Sequence, residues 1–377
     1  MTFDFTPGDG GTAPSGHARA IGADARVDTR LRHAIGDLFL PDSARLDDRT
    51  RARIHRLLGG VVAAAEAEVR RHAARLLAAR GATRAAEALL GGASVLSPLS
   101  EAGLLRDPEL MKELVARTEL DGLFDALAPA VVAPDRPSLL VHLADSPDGV
   151  VAAAALALLA ADNRRGAANE GVGPVRSDLP AQLRQRLLWW VAAAIRAQGP
   201  EPGGPEPGGP EPGGPGSGGM AERDRAIADA TLRSLAAHDE RDRPEAAAAR
   251  LAGAIDARAD ELGPLLLEAL ADRRGALFVG LLAHASGVDH DQVRHLVVDP
   301  RGDLLTLLLH AVGVDRARIA RIGVALAEAD PRRDLERLAD AVDWAAAHDR
   351  ADARAALAPL ALDRDFRAAV RSLARAR

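Results

Sequence analysis

The chain has 377 residues, enough for two ordinary domains or one extended repeat array, and 47% of them are hydrophobic. Only 2% are aromatic, Tyr is absent and β-branched residues are few, so the expected fold is all-α, with a core of Ala, Leu and Val. A net charge of −6 argues against a polyanion partner, and the absence of cysteine excludes disulfides, thiol nucleophiles and Cys-based zinc sites.

Residues 1–27 read as a disordered lead-in. The stretch "MTFDFTPGDGGTAPSGHARAIGAD" has no basic start followed by an apolar run, so no signal peptide is expected. Residues 28–198 read as a first helical-repeat region. "EAEVRRHAARLLAARG" from Glu66 has the pattern of a helix stopped at Gly81. In "LLVHLADSPDGVVAAAALALLA" a short apolar helix ends near Asp145 and a Ser146-Pro147-Asp148 turn follows. A second helix then places Val150, Ala154, Leu158 and Ala161 on one face. The apolar run from Gly149 falls short of the about 20 residues a membrane span needs. The chain is therefore expected in the cytoplasm, with no membrane among its partners. Ser177 or Asp178, followed by Pro180, is expected to cap the next helix.

"GPEPGGPEPGGPEPGGPGSGG", residues 199–219, writes EPGGP three times and reads as a flexible linker with a typical span of about 25 Å. Residues 220–377 read as a second helical-repeat region. The sequence leaves open whether the two regions form one array or two domains. Asp242-Arg-Pro-Glu245 has the spacing of a capping box. "LLAHASGVD" from Leu281 returns as "LLLHAVGVD" from Leu307. Each reads as a helix–turn–helix corner. His284 or His310 ends one helix, and Gly287 or Gly313 supplies a left-handed residue. Val288 or Val314 folds back, and Asp289 or Asp315 caps the next helix. Such corners suit stacked helical hairpins, a HEAT-like α-solenoid in which neighbours complete one another's core.

"LPAQLRQRLLWWVAAAIR" (Leu179–Arg196), the "LADSPDGVVAAAALALLA" unit and "DRRGALFVGLLAHASGVDHDQVRHLVVDPRGDLLTLLLHAVGV" together resemble an alphaproteobacterial family, the domain-of-unknown-function family numbered 2336. The likeness covers most of residues 30–375 outside the Pro/Gly segment. It implies stacked helical repeats and carries no catalytic residues; the segment itself departs from the family pattern.

No chemistry-bearing motif emerges. Lys112 is the one lysine, so no P-loop can be written, and HExxH, GxSxG and EF-hand patterns are absent. "GVG" at Gly171 follows no strand and is not a dinucleotide fingerprint. His284, His290, His295 and His310 crowd one region beside Asp289, Asp291 and Asp299, but structural roles account for them better than a metal. His238-Asp239 and His348-Asp349 read as helix ends followed by caps rather than acid–base pairs, with Asp242 and Asp352 as further cap candidates. Trp189 and Trp190 are the candidate partner-binding residues. Leu183, Leu187, Trp190, Val191 and Ala194 share one helix face, with Leu188, Ala192 and Ile195 beside it; Trp189 points about 100° from Trp190. Trp344 reads as core. The sequence thus predicts a non-catalytic protein-interaction scaffold or regulator, with another protein as partner and no cofactor, metal or catalytic residue. The alternative is a nucleic-acid-binding helical repeat, which the acidic total disfavours.

Overall fold

Ala and Leu make nearly every segment a competent helix, and turns enter only where Gly, Pro or Asp interrupts. The computed structural model describes residues 46–128, 137–169, 178–199 and 215–375. Among them all regular structure is helical, with no strand. Residues Arg49–Arg377 form one unit by contact; the other, Met1–Asp48, lies outside the described residues apart from 46–48. So does the expected lead-in.

Before the Pro/Gly segment run α1 (Asp48–Ala79), α2 (Thr83–Leu90), α3 (Leu96–Glu101), a 3-10 turn (Leu104–Arg106), α4 (Pro108–Ala126), α5 (Leu139–Ala144), α6 (Gly149–Asn169) and α7 (Ala181–Ala197). After it run α8 (Pro215–Ala236), a 3-10 turn (Glu240–Asp242), α9 (Pro244–Ile255), α10 (Ala259–Ala271), α11 (Gly275–Ser286), α12 (His290–Val298) and α13 (Asp303–Ala311). Then come α14 (Arg316–Ala329), α15 (Leu335–Ala347), α16 (Arg350–Leu357), a 3-10 turn (Ala358–Ala361) and α17 (Arg364–Arg375). Helix α8 starts inside the expected linker, with Pro215 in its first turn; residues 200–214 lie outside the described residues.

Packing crosses that segment. Helix α6 lies along α9, and α4 lies against α12, α11 and α14. One apolar core runs from Leu120 and Phe124 through Leu158 to Leu251, Phe278, Leu308 and Leu357. Phe124 and Phe278 meet across it with ring centroids 5.8 Å apart and planes tilted by 59°, a favourable edge-on arrangement. Beyond α9, neighbours in sequence are also neighbours in space: α10 packs on α11, α11 on α12, α13 on α14 and α14 on α15.

The repeated corners form with the predicted parts. Gly287 and Gly313 have φ of +67° and +96°, Val288 and Val314 are buried, and Asp289 and Asp315 accept amides of the following helix. The two closures nevertheless differ. In the second, the Val314 amide donates to the Leu309 carbonyl at 3.0 Å, the long backbone bond of a Schellman turn. In the first, the Val288 amide instead meets the Ser286 hydroxyl at 3.3 Å, while that hydroxyl donates to the Leu282 carbonyl at 2.6 Å. Position 286 is Ser where position 312 is Val, so a side chain replaces a backbone bond. Gly81 ends α1 in the same left-handed way, with φ +82° and the Ala82 amide on the Leu77 carbonyl.

Four expectations give way. Val150 is 69% exposed, and α6 buries Val151, Ala155, Leu158 and Ala161, because its core stripe starts one residue later. Asp148 caps that helix by accepting from the Val150 amide at 2.8 Å. Asp242 closes a 3-10 turn instead of capping α9; Arg243 is the N-cap, and Glu245 turns inward to a buried guanidinium. Asp178 does not cap α7, because it too is drawn to guanidiniums; Ser177 lies outside the described residues. Trp344 is 51% exposed rather than core, and lies on the His348 ring with centroids 4.1 Å apart.

Candidate functional site

Beside the apolar core, where the helices before and after the Pro/Gly segment meet, runs a buried ionic seam. Glu113, Arg117 and Asp121 recur every four residues along α4, so one helix face carries alternating charge. Arg294 of α12 grips Glu113 through two nitrogens, at 3.2 and 2.7 Å, and also meets Asp291 at 3.1 Å. Arg243 reaches the other side of Glu113 at 3.9 Å and Glu245 at 3.6 Å. Arg165 of α6 bridges Glu245 at 2.6 Å and Asp178 at 3.2 Å, and Arg117 meets Asp178 at 3.6 Å. Opposite charges therefore alternate without a break from Asp121 to Asp291. A separate pair, Arg274 with Asp162 at 3.2 Å, joins α6 to the start of α11.

The energetics follow from burial. Burial opposes the charge on Glu245, yet the guanidiniums of Arg165, Arg243 and Arg117 hold its carboxyl well below the usual carboxylate range. Asp162 goes the other way, its pKa raised by burial more than Arg274 and Arg165 lower it. Ions buried in this way are stable only while each keeps its partner, so the network ties α4, α6, α9, α12 and Asp178, just before α7, into one register. The Ala181 amide at the start of α7 is accepted by Glu240 from across the segment, at 3.0 Å. That long-range cap takes the role expected of Asp178.

Beside the network opens a cleft of about 350 Å³ whose lining includes Glu109, Lys112, Leu183, Arg186, Glu240, Asp291 and His295. Arg186 is anchored to Asp107 at 2.7 Å, and Asp107 also caps α4. Asp291 is held low, to about 2, by His290 and Arg294. Burial pushes His295 below the ordinary histidine value, while the hydrogen bond to the Asp291 carbonyl only partly opposes it. The cleft therefore gathers acidic and basic side chains beside an imidazole whose protonation burial disfavours.

On α7, Leu183, Leu187, Leu188, Val191, Ala192, Ala194 and Ile195 are buried, so the helix is packed on two sides as its pattern predicts. Trp190, one turn beyond Arg186, is half-buried; Trp189 is 39% exposed. The histidines do not gather. His284 pairs with Asp256 at 2.9 Å and His310 with the His348 carbonyl at 3.0 Å. His238 meets Glu240, not Asp239, which instead accepts the Arg241 amide. Among the described residues no group of three or more His, Asp or Glu side chains could hold a metal ion, and no helix is long and apolar enough to cross a membrane. The ionic seam has only local fragments in the sequence: the acid–base–acid run at 113, 117 and 121, Asp291 with Arg294, and Arg243 with Glu245; these fragments lie far apart along the chain.

Comparison with known protein families, curated proteins and solved structures yields no significant match to this chain.

Proposed function

We propose that this chain is a non-catalytic scaffold or regulator, built of stacked helical hairpins of the HEAT kind, that binds another protein through the outer face of α7. The observation that carries the reading is Trp189, a large aromatic held 39% exposed on a helix whose other sides are locked into the core. A rigid, amphipathic aromatic of this sort gives contact area at low entropic cost, the usual character of an interface hot spot. The cleft beside Arg186 adds charges of both signs, suited to a polar peptide rim more than to a phosphate backbone. The likeness to the alphaproteobacterial family numbered 2336 belongs to the same proposal, as does a cytoplasmic setting.

The test pairs affinity capture from the native host with Trp189→Ala. The variant should lose a specific protein partner while still folding, as an unchanged far-ultraviolet circular dichroism spectrum and a cooperative melt would show. Submicromolar DNA or RNA binding at physiological salt, falling steeply as salt rises, would favour the nucleic-acid alternative. Turnover of a bound small molecule would refute the non-catalytic reading.

A further inference from the structure

Helix α17 is built unlike the rest of the molecule. Asp363 caps it, accepting the amides of Asp365 and Phe366 at 2.8 and 3.2 Å. Phe366, Val370 and Leu373 then recur at the i, i+4, i+7 spacing of one face, with Leu362 one turn earlier. They are 57%, 49% and 69% exposed, and among the described residues none joins the core or packs against it. The other side of the helix carries the register positions 364, 367, 371 and 375, every one an arginine in the sequence; Asp365 is the only acid in the helix. The helix thus has a net charge of 4 − 1 = +3 within a chain of net charge −6.

A helix of 12 residues is marginal in water unless its apolar face is covered. The covering surface must accept a phenylalanine and branched aliphatic side chains, and must be rich in negative charge beside them. An anionic lipid surface supplies both. Aliphatic side chains sink to the level of the acyl boundary, while arginines reach outward to the headgroups. We propose that α17 is an interfacial anchor that lies flat on anionic membranes. This departs from the expectation of no membrane partner, which rested on the length of apolar runs.

The test uses the full chain and vesicle co-sedimentation. It should bind phosphatidylcholine vesicles that contain phosphatidylglycerol, not pure phosphatidylcholine, and the bound fraction should fall with salt. Phe366→Ala with Leu373→Ala should abolish binding. Arg367→Gln with Arg371→Gln should weaken it about thirtyfold, as expected for two cations near the surface. Unchanged urea midpoints in both variants would place the effect at the surface and not in the fold. Absence of binding to either vesicle, equal binding to both, or binding that survives both double substitutions would overturn the proposal. So would self-association that Phe366→Ala abolishes in a chain indifferent to vesicles, which would assign the face to a second copy.

Discussion

Glu245→Ala tests the ionic seam most directly. The carboxylate sits 2.6 Å from Arg165 and 3.6 Å from Arg243, and the side chains of all three are 12% exposed. Removing one partner of a buried pair costs about 3–5 kcal/mol, because the remaining charge is left without compensation in a medium of low polarity. Asp178 still faces Arg165 at 3.2 Å, which places the loss near the lower end, at about 3 kcal/mol. For a unit of this size that corresponds to a fall in melting temperature of roughly 4 °C. The companion variant replaces both partners with apolar groups of similar volume, Arg165→Met with Glu245→Leu. It should recover part of the loss, since the two ions leave together, while Asp178 keeps Arg117 at 3.6 Å and Arg243 keeps Glu240 at 2.5 Å. Urea unfolding followed by far-ultraviolet circular dichroism measures both. A loss below about 1 kcal/mol for Glu245→Ala would refute the reasoning, because that is the value of an ion pair still in water. A double variant as unstable as the sum of its two single substitutions would refute it equally, since the pair would then not be coupled.

Other expectations rest on the same structure. Gly313→Ala should destabilise more than Gly287→Ala in urea unfolding. Both positions have positive φ, costing about 1 kcal/mol each, but an added Cβ meets Ala259 at 3.0 Å at position 313 and nothing within 4 Å at position 287. Ser286→Ala should cost about 1 kcal/mol by leaving the Val288 amide without its acceptor, whereas Val312→Ala leaves the corresponding bond in the second corner intact. The pH dependence has a definite sign at His295, whose folded pKa lies below the ordinary 6.5. Its contribution is complete above pH 6.5 and is lost as the pH falls toward the lowered folded value, because the unfolded chain binds the proton first. His295→Gln should therefore flatten the urea midpoint just below that pH; an unchanged slope would show that the imidazole is solvated.

The sequence by itself determined the helical class and the chemistry of the corners. The Gly, Val and Asp of "HASGVD" and "HAVGVD" act within a few residues, so turn geometry, the positive φ of Gly287 and Gly313 and the caps at Asp289 and Asp315 were legible locally, whereas the partners of His284 and His310 lie 28 and 38 positions away. The two-sided burial of α7 was legible too, because apolar residues there recur on more than one face. Tertiary structure decided wherever distant groups competed with local ones. Asp178 and Glu245 have the spacing of helix caps, but a buried guanidinium binds a carboxylate more strongly than a backbone amide does, and Arg165 lies 13 and 80 positions away from them. Trp344 is left 51% exposed, so its burial depends on what packs on its side of the helix and not on its own hydrophobicity. The same holds for Ser286 and Val312: the repeat fixed that the chain turns, and one hydroxyl decided which bond closes the turn.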